Sequence, residues 1–104
     1  MASDPRTIAL ERYLDRLATI HRRIEQELAE SVQALEWART EAELLTQLGP
    51  EETRALVEVG LVSTDDSMLN HRLAVRKRGQ QLGAIEALIE LAQTEHQRRI
   101  GGPT

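Results

Sequence analysis

A seven-residue apolar repeat runs without a break through the first half of the chain and stops at Leu48-Gly49-Pro50. Leu10, Leu17, Ile24, Ser31, Ala38 and Leu45 form one series, and Leu14, His21, Leu28, Leu35 and Ala42 form a second, offset by four. Steps of three and four residues return to one face of an α-helix, so the two series trace a single stripe that can pack knobs into holes against other helices. The repeat therefore predicts an all-α chain. It forms a long antiparallel helical hairpin of the coiled-coil type with a short connector helix, assembling into a helical bundle.

Composition supports a narrow seam rather than a broad core. Tyr13 and Trp37 are the only aromatic residues, and there is no Phe. A compact globular core draws bulk from aromatics, whereas a helical seam needs only Leu, Ile, Val and Ala. The absence of cysteine excludes disulfide frameworks, thiolate metal sites and cysteine nucleophiles. The first residues, Met1-Ala2-Ser3-Asp4-Pro5, show no basic segment followed by an apolar run, and no stretch approaches the ~18 apolar residues of a bilayer span. The expectation is a cytoplasmic protein without membrane association, and one domain over residues 1–104.

Capping chemistry sets the expected boundaries. Asp4 can cap a first helix over residues 5–48, with Pro5 in the first helical position and Gly49 in a left-handed conformation at the end. A connector with a short helix over residues 50–60 should follow, acidic in its first turn and stopped by Gly60. A last helix over residues 64–99 should start from Ser63 or Thr64, carry Met68, Val75, Leu82, Ile85, Ile89, Ala92 and His96 in its seam, and leave a short flexible tail over residues 100–104. Gly79 and Gly83 share a face of that helix, where they can admit a kink or, the favoured reading, the close approach of a neighbouring backbone.

Charge is segregated along the chain. Residues 25–66 hold eleven acids against Arg39 and Arg54, while both ends are slightly basic. Folding the last helix back on the first, with paired residue numbers summing to about 115 from the position of the bend, lays Arg72, Arg76, Lys77 and Arg78 alongside Glu36, Glu41 and Glu43. The same register puts His21 and His96 in nearly one layer. They form either a polar layer that fixes register or a pH-sensitive layer, in which facing imidazoles resist double protonation and association weakens below about pH 6.5. Two histidines are too few ligands for zinc, so no metal is expected.

The partner-binding candidates are Leu10, Tyr13, Leu14 and Leu17 near the start of the first helix, where Ile8, Leu10, Tyr13 and Leu14 are expected to reach past the end of the last, together with Trp37 and Leu44, which lie off the seam. Two readings apply to Trp37. Either residues 51–62 fold back to cover it, or it is a docking spot, as exposed aromatics often are.

Catalytic patterns are missing: there is no Gly-rich phosphate loop, no nucleophile on a strand-to-helix turn, and no Glu-x-x-His pair of a di-iron bundle. No enzyme activity and no cofactor are expected. The layout resembles that of prefoldin-type chaperone subunits over Leu48, Leu56, Val57, Val59, Gly60 and Val62, but the connector is too short for their two hairpin strands, and no family follows from it. The expected function is that of a non-catalytic helical protein–protein interaction protein, an adaptor, assembly factor or chaperone-like subunit acting through coiled-coil oligomerisation. Its partners would be itself and another protein. The alternative is a small DNA-binding transcriptional regulator using residues 51–78, where Gly60 and the basic run mimic a helix-turn-helix. Asp65 and Asp66 at the head of the would-be recognition helix oppose a phosphate backbone and make nucleic acid the less favoured partner.

Overall fold

The computed structural model describes residues 4–60 and 65–101. Among them are three helices and no strand: α1 (Pro5–Leu45), α2 (Pro50–Glu58) and α3 (Asp65–Gly101), with α1 packed against α3 as a hairpin. Asp4 caps α1 as expected. Its carboxylate accepts a hydrogen bond from the Arg6 N–H at 3.2 Å, and its carbonyl accepts the first helical bond from the Ile8 N–H at 3.1 Å.

The end of α1 differs from expectation. The helix stops at Leu45, three residues early, and tightens into i to i+3 bonds from the Gln47 and Leu48 N–H groups to the carbonyls of Leu44 and Leu45. Gly49 is extended, at φ −69° and ψ 158°, rather than left-handed. Pro50 dictates this, because its ring drives the preceding residue out of the helical region, and Gly49 then serves as the N-cap of α2. Gly60 does take the left-handed conformation, at φ 71°, and ends the connector helix after a bond from its N–H to the Val57 carbonyl. The expected caps Ser63 and Thr64 lie outside the described residues, as do residues 102–104 of the expected tail, whereas Ile100 and Gly101 are still helical.

The chain divides into two compact units, residues 1–26 with 78–104 and residues 27–77. In the first, Leu17, Ile24 and Ala92 are buried, and Leu10, Leu14, Ile20, Leu82, Ile85 and Ile89 are half-buried around them. In the second, Leu35 and Ala38 are buried, flanked by half-buried Leu28, Ala34, Leu45, Leu56, Met68 and Val75. Ser31 occupies a seam position without strain because its hydroxyl donates to the Glu27 carbonyl at 2.9 Å. Ala42, assigned to the stripe by the heptad, is exposed, and Glu41 is half-buried instead. A glutamate can lay its methylenes along a seam and keep its carboxylate in water, so the exchange is cheap.

Gly79 and Gly83 admit no close neighbour: a Cβ built at either meets nothing within 4 Å, and α3 runs continuously through both. The favoured reading of a close backbone approach is therefore corrected. Two exposed glycines in a helix interior only weaken it, so Gly79→Ala and Gly83→Ala should each raise stability by about 0.8–1.0 kcal/mol in urea unfolding. Leu17→Ala, which empties a site only 2% exposed, should lower it by about 2–5 kcal/mol.

Candidate functional site

Polar contacts between the helices set the register of the first unit. His21 Nε2 lies 3.5 Å from Glu86 Oε1 and its Nδ1 lies 2.9 Å from Glu25 Oε1 on its own helix. Ten residues away on each helix, His96 Nε2 lies 3.2 Å from Glu11 Oε1. Arg99 then reaches Asp4 at 3.6 Å, while Glu95 holds its Nε at 3.1 Å. These pairs sum to 107 for both histidines and 103 for the arginine, not 115.

Two expectations are corrected as a result. His21 and His96 do not share a layer. Each faces a carboxylate from the opposite helix, Glu86 for His21 and Glu11 for His96, and not the other imidazole. And α3 does not fall short of α1, since Arg99 stands beside the first capped turn. Leu10 and Leu14 are half-buried by α3, and Leu17 is closed to any partner. Of that group Tyr13 is the one that stays open, at 43% exposure.

In the second unit Trp37 is 72% exposed and Leu44, one heptad later on the same line of α1, is 60% exposed. The connector does not cover them. Leu56 turns inward from α2, whereas Val57, Val59 and Leu48 remain exposed, and no residue of α2 is buried. The reading in which residues 51–62 bury the tryptophan therefore fails for the described part of that segment. The cause is length: nine helical residues provide two and a half turns, enough to close the end of the seam with Leu56 but not to lay a second face along α1.

Charge divides with the units. Residues 27–77 hold ten acids and five bases, and residues 1–26 with 78–104 hold seven acids and eight bases. Of the residues first matched across the hairpin, Glu36 pairs with Arg39 on its own helix at 2.9 Å, and Arg78 donates to Gln81 at 2.9 Å. Arg72, Arg76 and Lys77 are exposed.

Two open grooves lie in the first unit. One of 740 Å³ runs past Ala18, His21, Glu86, Ile89 and Gln93, and one of 440 Å³ is lined by Arg6, Ala9, Leu10, Tyr13, Glu95 and Arg99. Among the described residues no group of three or more His, Asp or Glu side chains is placed to hold a metal ion. None of the described helices is long and apolar enough to cross a membrane. Comparison with protein-family models, curated proteins and solved structures returns no match.

The sequence missed the carboxylate partners of the histidines. Glu11 and Glu86 sit beside seam positions, but only the register brings them opposite the imidazoles. A double-mutant cycle between His21→Gln and Glu86→Gln should return a small coupling of about 0.2–1 kcal/mol, whereas His21→Gln and His96→Gln should be additive.

Proposed function

We propose that this chain is a non-catalytic helical interaction protein, an adaptor, assembly factor or chaperone-like subunit, that associates with itself into a coiled-coil bundle and presents a surface to another protein. The observation that carries the reading is Trp37, 72% exposed on a helix face with Leu44 beside it on the same line. Tryptophan is among the residues most enriched as interface anchors, and here it shares its face with a second exposed apolar side chain.

The balance of buried and open surface supports the same reading. Among the described residues five hydrophobic side chains are buried, while thirteen large ones remain exposed. Burying a further helical face would supply the apolar area that a lone hairpin lacks. The DNA-regulator reading has less behind it, because Asp65 and Asp66 occupy the first turn of α3 and would meet the phosphates first.

Sedimentation velocity at micromolar concentration tests the proposal. A dimer or larger species that dissociates on dilution is expected. A well-folded chain that stays monomeric throughout would remove the basis for it.

A further inference from the structure

Two exposed helix faces in the second unit match each other residue for residue. On α3, Leu73 is ringed by the residues three and four places away, Leu69, Asn70, Arg76 and Lys77. All five are exposed, Leu69 at 54% and Leu73 at 52%. On α2, Ala55 is ringed in the same way by Glu51, Glu52, Glu58 and the C-cap residue Val59, and these five are exposed as well. Both faces turn away from the seam, which takes Met68, His71 and Val75 from α3 and Thr53 and Leu56 from α2. None of the polar side chains among the ten forms a hydrogen bond or ion pair with the described residues.

We propose that the α3 face receives the α2 face of a second copy of the chain, with the two helices antiparallel and Leu73 seated over Ala55. The proposal rests on the self-association reading above and adds the contact and its register. With Ala55 opposite Leu73, Lys77 meets Glu51, Arg76 meets Glu52, Asn70 meets Glu58 and Leu69 meets Val59. One compact unit carries both faces. Two copies therefore exchange them, each α2 lying on the other's α3, and the pair closes as a dimer.

Each meeting is chemically matched. Leu73 is a knob, and Ala55 leaves a hole between four larger neighbours. Arg76 and Lys77 find a carboxylate each, the Asn70 amide can donate to the Glu58 carboxylate, and Leu69 with Val59 closes the far end on an apolar contact. Parallel pairing about the same centre would put Glu51 on Leu69 and Val59 on Lys77, taking both charges out of water without an answer. The charges therefore select the antiparallel arrangement. Within one chain both faces stay exposed, so only a second molecule brings them together. An acidic helix of another protein would answer Arg76 and Lys77 alone, whereas the second copy answers Glu51 and Glu52 as well. The contact uses neither Trp37 nor Leu44, which stay open for a different partner.

The test uses the full chain, which has no cysteine. Ala55→Cys and Leu73→Cys each add a single thiol at an exposed position. Oxidised with glutathione disulfide, their equimolar mixture should form linked dimer roughly tenfold faster than either variant alone, because only the mixture sets two thiols opposite each other. Sedimentation equilibrium supplies the second readout, with helicity followed by circular dichroism. Arg76→Glu combined with Lys77→Glu should associate roughly tenfold more weakly than wild type, since both opposite pairs of each contact become like-charge pairs. A mixture that links no faster than its components, or a charge reversal that leaves association unchanged, would overturn this pairing while leaving self-association in place. A wild-type chain that remains monomeric would overturn both and leave the α3 face to an acidic helix of another protein.

Discussion

A helical hairpin has one seam. Two helices laid side by side cover a strip of each other and leave the rest of both surfaces in water, so every large hydrophobic residue off that strip stays exposed. The position of the strip decides what is core and what is available to a partner. Here it runs through Leu17, Ile24, Leu35 and Ala38 on α1, and it excludes Trp37 and Leu44. No side chain in a hairpin this thin can be both structural centre and interface. That division accounts for the small core and the open tryptophan together.

Polar residues in the seam add register where apolar ones add only area. Leucine tolerates a shift along the helix by one turn at modest cost, because another leucine waits in the next layer. A histidine opposite a glutamate does not. His21 with Glu86 and His96 with Glu11, ten residues apart on each helix, act as two pins in the first unit, and Arg99 closing on Asp4 adds a third at the capped end of α1. Each contact is half in water and individually weak. Their joint effect is to penalise sliding, which the apolar residues alone would permit.

Much of the architecture was legible in the residue pattern. The heptad gave α1, Asp4 and Pro5 gave its start, Gly60 gave the stop of the connector, and the seam of α3 at Met68, Val75, Leu82, Ile85, Ile89, Ala92 and His96 is the face that turns inward. The misreadings came from relations between elements. The bend was placed correctly, but α1 unwinds three residues early, Gly49 is drawn into the N-cap of α2, and the pairing number differs by about eight from the one read off the bend. A shift of two helical turns was enough to separate two histidines assigned to one layer. Trp37 was recognised as off the seam, yet its exposure could not be judged without knowing how far α2 reaches.

The amino-acid sequence by itself determined the secondary structure and which face of each helix is apolar. Those properties depend on local sterics, capping and a period of three to four residues, all contained within short windows of the chain. Only the tertiary structure decided the register between α1 and α3, the carboxylate partners of the two histidines, and the exposure of Trp37. Those depend on where a distant helix comes to lie, and a heptad stripe, being nearly the same at every turn, carries little information about which turn meets which.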